Sequence, residues 1–304
     1  MTWARFSPEK DIPSQEGKVI VVTGGHVFAS ILLLCKHSPK KVFLATRNEA
    51  KANEAMASIS SELPQPVDIE FVPLDLGNLA SVAAAADIIA RGAERIDLLF
   101  LNAGIMNMPA GKTDDGLDLQ LGTNHVGHFL FTRLLLPVLE RTVAEHGADV
   151  RVISVSSNAH KMAPSFDTIV STEKLSKQGQ WQSYAASKAA NILFASELAK
   201  RHPDITSVSV HPGMIKTDLY ATTFQNSFFM RCALGALGPL IYYDVPFGAL
   251  TQLWVSTVEK SKLTQGAFYT PVGHLQSNNK YTNNADMQKR LWEWTEEQLK
   301  ERGY

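Results

Sequence analysis

Tyr184 and Lys188 stand four residues apart in the segment "YAASK" and could together move a proton. Residues at this spacing share one face of a helix. A phenol has an ordinary pKa of about 10, so it is a poor acid or base near neutrality unless a neighbouring cation favours the phenolate. Lys188 could supply that cation. The pair suits acid–base chemistry, but such pairs also occur by chance on surface helices, so the pattern needs context.

Polar residues at three other places could serve the same chemistry. Ser157 closes the apolar run "RVISVSS", and its hydroxyl could bond a substrate oxygen or only satisfy backbone at a strand end. The small residues of "LNAG", Asn102 to Gly104, leave space for a ligand close to the backbone. Asn124 is polar inside an otherwise amphipathic helix, where an asparagine more often faces solvent or bonds backbone.

The elements that must position these residues are short apolar runs alternating with helical patterns. Near-continuous apolar runs are typical of a parallel sheet covered on both faces, and the gaps between them read as helices. The runs occupy residues 18–24, 41–47, 67–75, 96–104, 149–157 and 205–213. With 304 residues and 45% hydrophobic content, the chain is expected to form one large, doubly wound α/β domain.

Ligands of such sheets bind outside the carboxyl ends of the strands, near the point where strand order reverses. The residues that follow each predicted strand are nearly all small, polar or charged. They are Thr23, Gly24, Gly25, Arg47, Asp75, Leu76, Asn102, Ala103, Gly104, Ser156, Ser157 and the segment 212–217. A last strand at 266–273 and a C-terminal helix from residue 285 complete the pattern.

The chain resembles short-chain dehydrogenases/reductases over about residues 16–275, because it has, in the same order as that family, Thr23 with Gly24, Asn102 to Gly104, Asn124, Ser157, Tyr184 with Lys188, and Pro212 and Gly213 with Thr217. The long segment between Ser157 and Tyr184, with the sequences "SNAH" and "GAFYTPVG", resembles the retinol-dehydrogenase-like branch and its fungal relatives. The resemblance implies a Rossmann-type doubly wound parallel sheet in a single domain, residues 1–304. It would comprise an NADP-binding core at about 16–218, a substrate lid at about 219–245, and a C-terminal strand and helix at 246–304.

The resemblance also implies roles for the polar residues. Tyr184 would be the general acid for carbonyl reduction, or the base for alcohol oxidation, with Lys188 lowering its pKa and holding the nicotinamide ribose. Ser157 would orient the substrate oxygen, and Asn124 would complete a proton relay through water bonded at a helix irregularity. Hydride would pass between the nicotinamide ring and the carbonyl or carbinol carbon, which makes the chain an oxidoreductase.

Cofactor contacts are implied in the same way. Asp75 and Leu76 would meet the adenine, Asn102 to Gly104 the adenine ribose, and Ile215 and Thr217 the carboxamide and pyrophosphate. The full implied set is Thr23, Gly24, Gly25, Arg47, Asp75, Leu76, Asn102, Ala103, Gly104, Arg133, Tyr184, Lys188, Ile215 and Thr217.

Arg47, at the end of the second predicted strand, favours NADP over NAD. An arginine there can pair with a 2′-phosphate, whereas an acidic residue would bond a ribose 2′-hydroxyl. The next acidic residue is Glu49. The alternative is an Arg47 packed along the adenine without discriminating between cofactors.

The phosphate loop departs from the family pattern T-G-x-x-x-G-x-G, in which later glycines let backbone approach the pyrophosphate. Here the sequence is "TGGHVFASILLL", and the segment is about three residues shorter than in typical members of the family, close to one helical turn. A helix from about Phe28 to His37 can still close the crossover, so the sheet is expected to form. Three alternatives stay open: an active lineage with a damaged loop, a remodelled loop that still binds cofactor, or a non-catalytic binding or scaffold protein.

Composition limits the partners. A net charge of −1 gives no reason to expect nucleic acid, and Cys35 and Cys232 make neither a disulfide framework nor a metal cluster. With no apolar N-terminal signal region, a cytoplasmic location is expected. Residues 228–243 fall short of a membrane span, and the preferred interpretation is a pocket wall or lid rather than attachment to a lipid surface. A homo-oligomer is left open.

A small apolar or aromatic carbonyl or alcohol is the expected substrate. The region 219–245 would supply its aromatic contacts, from Phe224, Phe228, Phe229, Tyr242 and Tyr243.

Overall fold

An eight-stranded sheet forms the centre of the computed structural model, which describes residues 6–24, 28–213 and 245–304. The strand order is β3-β2-β1-β4-β5-β6-β7-β8, with the first seven strands parallel and β8 antiparallel to β7. The strands are β1 (Val19–Thr23), β2 (Lys41–Thr46), β3 (Asp68–Pro73), β4 (Leu98–Leu101), β5 (Arg151–Val155), β6 (Thr206–Val210), β7 (Phe268–Thr270) and β8 (His274–Leu275).

Helices cover both faces of this sheet. They are α1 (Pro8–Asp11), α2 (Phe28–Cys35), α3 (Glu49–Glu62), α4 (Leu79–Gly92), α5 (Leu119–Leu121), α6 (Gly127–His146), α7 (Phe166–Ile169), α8 (Thr172–Ser176), α9 (Gln180–Arg201), α10 (Val245–Thr257) and α11 (Ala285–Lys300). A π-helical turn spans Gly122–Val126, and 3₁₀ turns span Asn158–Met162 and Lys260–Lys262. The architecture is the predicted doubly wound, Rossmann-type parallel sheet in a single α/β domain.

Strand side chains alternate between two apolar layers, as the pleat requires. In β1, Val19 and Val21 join the layer beneath α4 and α6, while Ile20 and Val22 join the layer beneath α2, α3 and α10. Since both faces are buried, the predicted strands read as continuous apolar runs rather than alternating ones.

The strand order reverses between β1 and β4, which lie side by side although β2 and β3 separate them in sequence. Ile20, Val21 and Val22 pair with Leu98, Leu99 and Phe100 in this register. The carboxyl ends of β1 and β4 therefore open a crevice between helices packed on opposite faces, where ligands of this fold bind.

The shortened crossover between β1 and β2 still closes. Helix α2 ends at Cys35, two residues before the predicted end, and the five residues of β1 pair in parallel with β2 from Val19–Lys41 to Thr23–Ala45. The expectation that the sheet survives the shortened segment is thus confirmed. Gly25, His26 and Val27 lie outside the described residues.

The C-terminal helix packs on the long helix α9. Trp292 of α11 stacks on Phe194 with ring centroids 6.0 Å apart, and it meets Phe129 of α6 edge-on at 4.6 Å. The Arg201 guanidinium lies 4.7 Å from the Trp292 ring centroid. The last helix is therefore part of the core rather than an appendage.

The predicted lid, 219–245, falls almost wholly outside the described residues, as does the apolar stretch 228–243. Within residues 6–24, 28–213 and 245–304, no helix has both the length and the apolar character needed to cross a bilayer.

Candidate active site

A cleft of about 930 Å³ opens at the carboxyl edge of the sheet. It runs from the ends of β2 and β3, past those of β1 and β4, to the end of β5 and the face of α9. Most of the residues predicted from strand ends line it together, with Tyr184 and Lys188 of α9. Those from strand ends are Gly24, Arg47, Asp75, Leu76, Asn102, Ala103, Gly104, Ser156, Ser157, Pro212 and Gly213.

The three side chains first singled out all line the cleft. Tyr184 and Lys188 project from the same face of α9, and the Lys188 Nζ lies 5.7 Å from the Tyr184 ring centroid. Ser157 follows β5 and begins the 3₁₀ turn, where its Oγ accepts a hydrogen bond from the Ala159 amide at 3.2 Å. The structure thus brings a phenol, an ammonium and a hydroxyl to one wall of the cleft.

Lys188 is held in place by the end of β5. Its Nζ donates to the Val155 carbonyl at 3.0 Å, a bond that Asn191, one turn along α9, repeats at the same distance. The side chain is buried, and the loss of hydration lowers the pKa of Lys188 to about 8. The ammonium form therefore predominates at neutral pH beside the phenol.

Asn124 lies in the π-helical turn, fully buried rather than facing solvent. Its Oδ1 accepts from the Ile105 amide at 2.8 Å, and its Nδ2 donates to the Ile105 carbonyl and to the Ser187 Oγ, both at 2.9 Å. The Ser187 hydroxyl in turn donates to the Tyr184 carbonyl at 2.7 Å. Asn124 thus ties the loop after β4 to the helix that carries Tyr184, and a helix irregularity does occur at this residue.

Thr23 links the carboxyl ends of the neighbouring strands β1 and β4. Its Oγ1 accepts from the Asn102 and Ala103 amides, each at 3.0 Å, and lies 2.8 Å from the His128 Nε2. His128 Nδ1 is 3.0 Å from the Asn124 carbonyl, which can only accept, so the proton sits on Nδ1 and Nε2 accepts from Thr23. Burial lowers the pKa of His128 to about 4, so it stays neutral at physiological pH.

A second histidine bonds the backbone of Ser157. His160 Nδ1 lies 2.7 Å from the Ser157 carbonyl, and its Nε2 accepts from the Asn279 Nδ2 at 3.1 Å. The Asn279 Oδ1 accepts from the Tyr281 amide at 2.9 Å. The segment after β8 therefore fixes the backbone that carries Ser157, although more than 100 residues separate His160 from Asn279 in sequence.

The opposite end of the cleft carries charges of both signs, two cations together with the carboxylates of Asp75 and Glu54. Arg47 is 76% exposed with its Nη1 4.0 Å from the Asp75 Oδ2, and Lys51 also lines the cleft from the first turn of α3. The Asp75 Oδ1 accepts from the Gly77 amide at 2.9 Å, which fixes the turn after β3. Within the described part of the cleft lining, Arg47 and Lys51 are the cations at this end.

Gly24 makes the close approach of the two loops possible. Its φ is +86°, and a Cβ there would stand 2.9 Å from the Ala103 Cα. Both the backbone conformation and the space therefore require glycine.

Some predicted residues are not brought to the cleft or lie outside the described chain. Arg133 stands on α6 nine residues after Asn124, about 13 Å further along the helix axis, and does not line the cleft. The implied link between Arg133 and a cofactor therefore finds no support in its position. Gly25, Ile215 and Thr217 lie outside the described residues.

Reasoning from the sequence missed His128, Ser187, Asn279 and Gln252. The repeated histidines of "NHVGHF" and the histidine of "SNAH" were visible, but nothing in the sequence linked them to Thr23 or to Asn279. Gln252, on α10, contacts Asn102 across 150 residues of sequence and carried no motif.

Comparison with known proteins gives the family. The short chain dehydrogenase family model matches residues 18–227. A short-chain dehydrogenase/reductase of Armillaria gallica is 37% identical over 300 residues, covering 96% of this chain and 93% of that protein. An uncharacterized oxidoreductase of Schizosaccharomyces pombe is 38% identical over 86% of this chain and 79% of its own length.

A solved structure agrees with these relatives. The crystal structure of an uncharacterized protein from Mycobacterium paratuberculosis superposes with a TM-score of 0.73 at 28% identity, covering 97% of each chain. The Rossmann-type fold and the relatives place the chain among the oxidoreductases. The chain belongs to the short-chain dehydrogenase/reductase family, and its curated relatives named above are fungal.

Proposed function

We propose that the chain is an NADP-dependent oxidoreductase that interconverts a carbonyl and an alcohol on a small apolar or aromatic substrate. The observation that carries the proposal is the convergence of Ser157, Tyr184 and Lys188 on one wall of the cleft at the strand-order reversal. The aromatic residues that favour this substrate class lie in the predicted lid, 219–245, outside the described residues.

The residues of the cleft suit a nicotinamide dinucleotide. The glycine at the end of β1 and the small residues after β4 keep side chains away from the crevice, while Arg47 and Lys51 supply cations that match a 2′-phosphate. Bound NADPH would supply a hydride to the substrate carbon. Thr23, Gly24 and Asn102 to Gly104 would hold the dinucleotide, Asp75 and Leu76 would meet its adenine, and Lys188 would hold a ribose.

Tyr184 carries the proton in this proposal. For carbonyl reduction, its hydroxyl donates the proton to the substrate oxygen, which Ser157 orients, and the phenolate left behind is stabilised by the Lys188 ammonium. Asn124 would complete a proton relay through water bonded at the helix irregularity in which it lies. For alcohol oxidation the same groups work in reverse.

Replacing the Tyr184 hydroxyl tests this mechanism. We expect Tyr184→Phe to lower kcat for NADPH-dependent reduction at least 100-fold, because general acid catalysis contributes about 10²–10⁴ in rate. NADPH affinity should change little. The assay follows NADPH absorbance with a panel that includes benzaldehyde, acetophenone and hexanal.

Tyr269→Phe provides the matched control. Tyr269 is a buried tyrosine on β7 whose hydroxyl accepts from the Thr264 amide at 2.7 Å and which does not line the cleft. The control variant should turn over like the wild type. Equal turnover by Tyr184→Phe would contradict the mechanism, and a wild type that binds NADPH but reduces nothing in the panel would favour the non-catalytic alternative.

A further inference from the structure

Gln252 is a buried polar residue in the cleft wall to which no role has been assigned. It lies on α10, is 3% exposed, and lines the cleft together with Gly248 and Ala249 of the same helix. Helix α10 packs directly against α2, the helix whose crossover is short. Gln252 therefore reaches the dinucleotide crevice from an element that does not depend on the phosphate loop.

The orientation of the Gln252 amide follows from its neighbours. The Thr23 carbonyl can only accept, so Asn102 presents its Nδ2 to it, at 3.3 Å. The Asn102 Oδ1 then faces Gln252, which must present its own Nε2, also at 3.3 Å. A flipped Gln252 amide would set two oxygens against each other, so the Oε1 is the atom turned away from Asn102.

That oxygen lacks a hydrogen-bond partner among the residues that the structure describes, and it is shielded from solvent. A buried acceptor without a donor is unfavourable, and such groups in native proteins normally find a partner. Gln252 lines the cleft, so a small rotation of its side chain on ligand binding would bring the Oε1 to a donor of the ligand.

Resting on the proposed function, we propose that the Gln252 Oε1 accepts a hydrogen bond from a ribose hydroxyl of the bound dinucleotide. Asn102, which bonds Gln252, follows β4. In the sheet order, β4 lies between β2, which Arg47 follows, and β5, which precedes Ser157. Gln252 thus faces the middle of the cleft, where the sugars and phosphates of a dinucleotide must pass. Phosphates carry no hydrogen to donate at neutral pH, whereas ribose hydroxyls do.

The change Gln252→Met tests this contact, because methionine keeps the length and apolar volume of the side chain but has no acceptor of comparable strength. We expect the dissociation constant for NADPH, measured by isothermal titration calorimetry, to rise about tenfold, as for one lost hydrogen bond. Adenosine 2′,5′-bisphosphate and nicotinamide mononucleotide each represent one half of the dinucleotide. Titration with each compound should show weaker binding by Gln252→Met for only one of them, the half whose ribose Gln252 contacts.

Thr251→Val is the matched control. Thr251 is the adjacent buried residue of α10, its Oγ1 also lacks a partner among the described residues, and it does not line the cleft. Its replacement should leave the NADPH dissociation constant unchanged. An equal loss in both variants would mean that the helix packing had changed, and would overturn the role of Gln252.

The outcomes separate this inference from the proposed function. If the wild type binds NADPH and Gln252→Met binds it as tightly, the contact is refuted and the proposed function stands. If the wild type does not bind NADPH, both fail. A crystal structure of the wild type with NADP⁺ needs no variant: a ribose oxygen within hydrogen-bond distance of the Oε1 is expected, and a water molecule or protein donor there would refute the inference.

Discussion

In the proposed mechanism, the charge of Lys188 would serve the reaction at the expense of the protein's stability. The ammonium is buried with a backbone carbonyl as acceptor, and the lowered pKa means that the native state binds this proton less tightly than the unfolded chain does. Active sites commonly hold such unfavourable charges because the reaction needs them.

Removing this charge should stabilise the protein. We expect Lys188→Met to raise the free energy of unfolding at pH 7 by about 1–3 kcal/mol while abolishing turnover. The wild type loses its buried charge as the pH rises above about 8, so the difference between the two proteins should shrink from pH 8 towards the unfolded pKa of 10.5. Urea denaturation at pH 7 and at a pH near 9.5 measures it.

Lys41→Met serves as the control, because it should change the free energy of unfolding in the opposite direction. The hydrogen bond to Glu70, followed by the pairing with Asp68, raises the pKa of Lys41, so its charge is favourable. That replacement should lower stability slightly at pH 7. A Lys188→Met protein less stable than the wild type would contradict a net cost for the buried ammonium.

Arg47 is expected to decide between the two nicotinamide cofactors. Arg47→Ala should raise the NADPH dissociation constant more than tenfold and leave that for NADH nearly unchanged, because an arginine fork pairs with a phosphate that NADH lacks. Fluorescence titration with each cofactor checks this. Arg91→Ala, at an exposed arginine paired with Asp87 away from the cleft, should change neither value. Equal losses for both cofactors would mean that Arg47 contacts the adenine only.

At the scale of elements, the π-helical turn and the loop after β3 depend on each other. Gly127 begins α6 directly after the π turn, and a Cβ at this glycine would overlap the Leu76 carbonyl. Leu76 lines the cleft, so this contact sets the position of one cleft wall.

Gly127→Ala should therefore destabilise the protein even though alanine is the better helix former by about 1 kcal/mol. We expect a loss of about 1–3 kcal/mol in urea denaturation, because two backbones must move apart. Gly92→Ala, near the end of α4, is the matched change: its Cβ would meet the Phe43 side chain at 3.5 Å, an ordinary contact, and should be neutral or stabilising. Equal stability of the two variants would refute the close contact.

The longer strands and helices could be predicted from the sequence. Predicted strands such as 41–47 and 205–213 became Lys41–Thr46 and Thr206–Val210, and the predicted C-terminal helix begins at residue 285. Apolar runs and helical periodicity carry that information locally. The short helices α5, α7 and α8 were not predicted, because three to five residues hold no period and their ends are fixed by tertiary contacts.

The candidate site was predictable as a set of residues but not as a network. Strand ends place Ser157 and Asn102 at one sheet edge whatever the details, so topology alone brings them to the cleft. The bonds from His128 to Thr23, from Asn279 to His160 and from Gln252 to Asn102 join residues far apart in sequence, and only the packed fold reveals them. Arg133 was predicted from its spacing to Asn124 in sequence, but spacing does not say which side of α6 a residue occupies. The structure places Arg133 outside the cleft lining.

On the scale of the whole molecule, α11 completes the core that holds α9 in place. Trp292 is 5% exposed and contacts aromatic rings of both α6 and α9. Since α9 carries Tyr184 and Lys188, the packing of α11 helps to hold the helix that brings these two residues to the cleft.

Removing the Trp292 indole should lower the free energy of unfolding by about 3–5 kcal/mol in Trp292→Ala, the usual cost of a buried aromatic cavity. Thermal or urea denaturation with a far-ultraviolet dichroism signal measures it. Glu293→Ala, the exposed neighbour on the same helix, should stay within about 0.5 kcal/mol of the wild type. A loss below about 1 kcal/mol for Trp292→Ala would mean that α11 contributes little to the core.

We propose that this chain, despite a phosphate loop about three residues short, forms a working NADPH site. Equilibrium titration of the wild type with NADPH, followed by cofactor fluorescence and competed with NADP⁺, tests it most directly. We expect saturable binding of NADPH, reversed by NADP⁺. No binding at millimolar cofactor would contradict it.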